Sequence, residues 1–301
     1  MILSPQQRRV LDELVPVTRI ATDGSREGLP IMPRCHSMIV GPSGSGKSHV
    51  AREIARTMNL PCLVINVATW VIIAARSEPW TWTVICEWLN DIECGVLVLD
   101  EADKLTGDSD WGRYARLEIH DLLDGIVPAS AKLPDVSDGE FHFETPSFST
   151  SHIDRATLAK RLRERVMVIG CGAWQSAWRE NARPMGFSTG AATQPEPPTR
   201  EQILGSINAE LRQRFRDEVS LLPPMSLEDY ETVAQTIITR IPMEFRQEWR
   251  NHLGAALGKA FEGTLGMRVF EELLLMAMVL SRGSQKADTP RPKPDRELRL
   301  I

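Results

Sequence analysis

The chain has 301 residues, 42% hydrophobic and 25% charged, a globular composition that excludes wholesale disorder. Thirty-five Lys and Arg against 40 Asp and Glu leave a formal charge of −5, which argues against a surface built mainly to neutralise phosphates. Five cysteines with no CxxC pair and an odd total form neither a disulfide framework nor a zinc site, and fit reduced thiols.

Residues 1–30 read as an N-terminal segment without the charged and apolar regions of a secretion signal, so a cytoplasmic location is expected. Residues 31–224 alternate short apolar runs with helical patterns, the signature of an α/β fold with a parallel sheet. The predicted strands are Ser37–Val40, Cys62–Val67, Gly95–Leu99, Val166–Ile169 and Val219–Leu222. Each is near-continuously apolar, as expected for strands covered on both faces. Two irregular stretches, Val127 to about Ile153 and Pro184–Thr199, interrupt this region and are long for a compact domain.

After Pro223-Pro224 the strands stop. Leu227–Ile241, Glu244–Glu262 and Met267–Leu280 predict a small all-helical domain over residues 225–283, and the Pro-, Lys- and Arg-rich residues 284–301 predict a disordered tail. The longest wholly apolar stretch, Leu273–Leu280, is too short to cross a bilayer. No membrane partner is expected.

Gly41-Pro42-Ser43-Gly44-Ser45-Gly46-Lys47-Ser48 fits the pattern GxxxxGK(S/T), set between the strand Met38–Val40 and a helix in which Val50, Ile54 and Met58 recur. Glycines let backbone N–H groups turn around an anion, and the helix N-terminus adds positive potential. These residues, with His49, form the candidate ATP site. Lys47 is placed on the β- and γ-phosphates and Ser48 on Mg²⁺. A partner carboxylate is expected at the end of an adjacent strand. Val96–Glu101 supplies Asp100 for the metal and Glu101 to activate the attacking water.

Gly41–Ser48 and Asp100-Glu101-Ala102-Asp103-Lys104 resemble the Walker A and Walker B motifs of AAA+ ATPases. Asp121–Gly125 resembles the helix end that follows Walker B in the ClpX and HslU unfoldases, and Val166–Gln175 resembles their sensor-1 strand. Glu210–Phe215 is similar to the arginine-finger motif, and Gly266-Met267-Arg268 to sensor 2. The resemblance implies a P-loop NTPase sheet of AAA+ type followed by a helical lid. It also implies Mg-ATP hydrolysis at the subunit interfaces of a homo-oligomeric ring, a hexamer, acting on a protein partner.

Placed on a helix, Glu210–Arg216 puts Leu211 and Phe215 on one face, with Arg214 on one flank and Arg212 and Arg216 on the other. The resemblance assigns the finger to Arg214, a group able to change rate by about 10³–10⁵-fold. Arg268, in the first turn of its helix, opposes the dipole, so a γ-phosphate facing it would offset that cost; the alternative is a surface pair with Glu271 or Glu272. Cys171 occupies the sensor-1 position with a weak thiol donor, and Gln175 is its possible stand-in.

In substrate-threading rings of this class an aromatic loop grips the polymer. The matching region, Glu78–Trp82, offers Trp80 first and Trp82 second, against the alternative that both are core. Val127–Ile153 corresponds in position to a second pore loop. The basic run Arg155, Lys160, Arg161, Arg163 and Arg165 admits contact with nucleic acid but fits a solvated or inter-subunit face better. Competing functions are a nucleic-acid-associated AAA+ loader or mobile-element regulator, and a slow ATP-dependent assembly switch.

Overall fold

The computed structural model describes residues 2–73, 75, 79–106, 110–133, 154–175, 177, 198–262 and 267–287. The chain divides at Pro224/Met225 into two compact units, the larger being Pro5–Pro224.

The larger unit is built on five parallel strands: β1 (Ser37–Val40), β2 (Cys62–Asn66), β3 (Gly95–Asp100), β4 (Val166–Gly172) and β5 (Val219–Leu221), in the order β2-β3-β4-β1-β5. Its helices are α1 (Pro5–Thr22), α2 (Lys47–Thr57), α3 (Thr81–Asp91), α4 (Asp110–Leu123), α5 (Arg155–Arg165), α6 (Arg200–Ser206) and α7 (Ala209–Arg212). Side chains of successive strand residues leave on opposite faces. Met38, Val40, Leu97, Leu99, Val166 and Val168 join one core with Trp82, Ile85 and Leu89 of α3, Ile119 and Leu122 of α4, and Leu158 and Leu162 of α5. The alternate residues Ile39, Val96, Val98, Met167 and Ile169 are also buried, and α2 packs on β1, β3 and β4.

Two expectations change. Strand β2 is an edge strand with Cys62 and Asn66 exposed, so it is not covered on both faces as its apolar run implies. From Pro5 on, the residues ahead of the sheet belong to the large unit: α1 buries Gln7, Val10, Leu14, Thr18 and Ala21 on one face and packs along α2 and against β4. All five cysteines are free.

The second unit contains α8 (Leu227–Arg240), α9 (Met243–Glu262) and α10 (Arg268–Ala287). Ser226 opens α8 with a reciprocal cap: its hydroxyl accepts from the Asp229 N–H while the Asp229 carboxylate accepts from the Ser226 N–H. Tyr230, Val233, Trp249, Phe270 and Leu273 form the core of this unit, with the Trp249 and Phe270 rings stacked at 6.0 Å. Among the described residues, no helix is long and apolar enough to cross a membrane. The tail from residue 288, and most of the stretches 127–153 and 184–199, lie outside the described residues.

Candidate functional site

A parallel sheet delivers the carboxyl ends of its strands to one edge, where α/β proteins bind ligands. The loop Gly41–Gly46 leaves β1 at that edge. Its base continues the ladder on both sides: the Gly41 N–H donates to the Gly172 carbonyl at 3.3 Å and the Leu222 N–H donates to the Val40 carbonyl at 2.8 Å. A Cβ on Gly41 would stand 2.3 Å from the Leu222 carbonyl oxygen, so the close approach requires glycine. Gly46 has φ +86°, a left-handed conformation that lets the loop enter α2 directly.

The Lys47 ammonium is folded onto the loop, donating to the Gly41 and Pro42 carbonyls, both at 2.9 Å. Burial pushes its pKa down, opposed by Cys171, Asp100 and Asp103. The buried Ser45 hydroxyl oxygen has no hydrogen-bond partner among the described residues. A cation resting on neutral carbonyls, an orphaned hydroxyl and a helix N-terminus together fit a phosphate chain. Ser48, on the first turn of α2, and Asp100, at the end of β3, are half-buried oxygen donors of the hard type Mg²⁺ selects. His49 and Ser43 are exposed.

Asp100 does not lie on a strand adjacent to β1, which corrects the expectation. Strand β4 pairs with both β1 and β3 and so separates them. The carboxyl ends of β1 and β3 are therefore two strand spacings, about 10 Å, apart. Glu101 follows with φ +56°, left-handed for a side chain that rarely adopts it, and its N–H donates to Asp100 Oδ1 at 3.0 Å. This backbone state turns the exposed Glu101 carboxylate away from the strand's alternation, and strain of this kind gathers at functional sites. Asp103, in the 3-10 turn Ala102–Thr106, accepts from the Ala173 N–H at 3.1 Å and ties the end of β4 to this turn.

Cys171 is completely buried, and burial drives its thiol pKa far above the ordinary value, so it stays protonated. Lys47 and Asp100 both act electrostatically on it, which places it beside the loop. Gln175 is exposed.

Arg214 is organised differently from the helical expectation. Helix α7 ends at Arg212, and the chain continues in tight turns, with Arg214 N–H to the Leu211 carbonyl at 3.1 Å and Phe215 N–H to the Arg212 carbonyl at 3.3 Å. Leu211 and Phe215 are both buried, as their spacing predicts. The Arg214 guanidinium grips Asp124 through Nε at 2.9–3.0 Å and Nη2 at 2.9 Å, and donates to the Glu210 carbonyl. Asp124 lies inside the quoted Asp121–Gly125 segment, but no local spacing announces a partner 90 residues away. Arg268 is the exposed first residue of α10 and, among the described residues, forms no ion pair with Glu271 or Glu272.

Trp82 is fully buried within the core of α3, so it has no surface with which to hold a polymer; its gripping role is withdrawn. Trp80 is half-buried, with Nε1 donating to the Ala75 carbonyl at 3.1 Å and Lys132 over its ring at 5.6 Å. Glu78 lies outside the described residues. The basic run serves this chain's own backbone and carboxylates. Arg161 caps the Leu89 and Asn90 carbonyls at the end of α3, Arg155 binds the Pro128 and Ala131 carbonyls, and Arg165 pairs with Glu27. Arg155, Arg161 and Arg165 thus brace the chain internally, while Lys160 and Arg163 remain on a solvated face beside Glu164.

Sheet, loop and carboxylates define a P-loop domain of the nucleotide-hydrolysing class. Residues 37–171, from the first residue of β1 to Cys171 on β4, match the model of the family described as ATPase family associated with various cellular activities (AAA). Over those residues the large unit is similar to an AAA-type ATPase domain. No curated protein matches the chain.

Proposed function

We propose that this protein is an AAA+ ATPase, similar to the ClpX/HslU group, that hydrolyses Mg-ATP at the subunit interfaces of a hexameric ring to remodel or translocate a protein partner. Lys47 and the loop amides bind the phosphates, and Ser48 and Asp100 hold Mg²⁺. Bound Mg²⁺ would supply charge neutralisation on the β- and γ-phosphate oxygens. Glu101 orients a water and takes its proton. Cys171, a neutral weak donor, and Arg268 of the lid are the sensors in this reading.

One observation carries the inter-subunit assignment. Strand β1 has four residues, about 13 Å of chain, with the phosphate loop at its carboxyl end. The Arg214 segment is anchored at the other end, where the Arg216 N–H donates to the His36 carbonyl at 2.8 Å immediately before β1. Asp124, which holds the guanidinium, follows Leu123, whose main chain bonds the His36 ring. A finger seated at the amino edge of the sheet serves a neighbour's phosphates better than its own.

Complementation tests this. Lys47→Ala and Arg214→Ala homomers are each expected to hydrolyse no ATP, while a mixture regains turnover at interfaces pairing an intact loop with an intact finger. A mixture that forms mixed oligomers yet stays inactive, or full turnover by a dilute single chain, overturns the reading. Partner identity follows from capture on Glu101→Gln, expected to bind ATP without turnover.

A further inference from the structure

Helix α1 supplies one side chain to the phosphate loop. Gln7 is 1% exposed, and its Nε2 donates to the main-chain carbonyl of Ser45 at 2.9 Å. The same nitrogen lies 2.3 Å from the position a Cβ on Gly46 would occupy, so the amide sits directly against the Ser45–Gly46 peptide. A peptide unit is planar and trans, so its C=O and N–H point in opposite directions. Holding the Ser45 oxygen toward α1 aims the Gly46 N–H away from α1. That N–H donates to no protein group among the described residues. With φ at +86°, Gly46 has the conformational freedom to let this peptide flip, so the orientation needs a fixing contact.

We propose that Gln7 is a positioning residue for nucleotide binding: its carboxamide locks the Ser45–Gly46 peptide with the Gly46 N–H turned toward the phosphates. The inference rests on reading Gly41–Ser48 as the phosphate site. Helix α1 is then part of the nucleotide-binding apparatus. Buried amide and loop carbonyl lie 38 residues apart; the rest of the buried face of α1 is apolar Val10, Leu14 and Ala21 with Thr18 and Thr22, whose hydroxyls donate to carbonyls of α1 itself.

Two substitutions separate positioning from packing. Gln7→Met keeps the volume and loses the donor. Gln7→Glu is nearly isosteric, but its carboxylate accepts where the amide donated, which favours the flipped peptide with N–H toward α1. Burial raises the pKa of such a carboxyl, and once protonated it donates again to the Ser45 carbonyl. Equilibrium binding of ADP and of inorganic pyrophosphate is measured without turnover, beside the melting temperature of the ligand-free protein.

At about pH 8 both variants are expected to bind both probes at least about tenfold more weakly than wild type, the loss of one oriented donor to a charged ligand. On lowering the pH to about 6, Gln7→Glu alone should recover, as a ratio to wild type at each pH. Wild-type affinity in both variants overturns the proposal. So does weakening that tracks lost thermal stability without recovery at low pH, or weakening for ADP but not pyrophosphate. If wild type itself binds neither probe, the phosphate-site reading fails first.

Discussion

His36 stands immediately before β1, buried, with Nδ1 accepting from the Val168 N–H at 3.1 Å and its ring bonded to the Leu123 main chain. Burial, with help from Arg26, lowers its pKa from 6.5 to about 4. The unfolded chain therefore binds a proton near pH 6.5, and the native protein does not until about pH 4. More protons on the unfolded side mean that stability rises with pH across this window and is lost on acidification. A shift of about 2.5 units corresponds to about 3 kcal/mol in full, of which about 2 kcal/mol is lost by about pH 5. The substitution His36→Gln offers an acceptor and a donor in place of the ring without titrating. Urea unfolding of both proteins at about pH 7.5 and about pH 5 isolates the imidazole: wild type should lose about 2 kcal/mol more than the variant over this interval. Parallel losses in the two proteins would refute the argument. Because His36 joins β1 to β4 and to the end of α4 beside Asp124, the same acidification should also loosen the seat of Arg214.

Glu101→Gly should abolish hydrolysis while leaving the protein as stable as wild type, or up to about 1 kcal/mol more so, since the left-handed backbone strains a side-chain-bearing residue; a clear loss of stability in urea would contradict the strain. Trp82→Ala should cost about 3–5 kcal/mol, against about 1 kcal/mol for Trp80→Ala, which loses one hydrogen bond and a cation–π contact. Equal costs in thermal or chemical unfolding would mean the two rings are not packed as described.

Sequence and structure agree where the physics is local. The strands are legible because each is an unbroken apolar run, and the phosphate loop because its backbone geometry demands glycine and lysine at fixed spacing. Strand order is not local: the ends of β1 and β3 look like neighbours in a motif list, yet β4 lies between them. The burial of Trp82 was present in the sequence as the helical set Trp82, Ile85, Cys86 and Leu89, but resemblance to an aromatic loop competed with that periodicity. Pro16 inside α1 obscured a helix whose buried face includes polar Gln7 and Thr18. Gln7 and Asp124 act on partners 38 and 90 residues away, and no pattern along the chain encodes such a pairing.

Strand β1 is only four residues long, but it is hydrogen-bonded on both sides, with the Gly41 loop at one tip and the Arg216–His36 contact at the other. Extended chain has little slack along its axis, so it behaves as a strut. On the proposed reading, a displacement at the glycine tip would be carried along this strut to the segment that bears Arg214. Substitutions in Ser37–Val40 that spare both tips would therefore test whether the two ends of the strand are coupled.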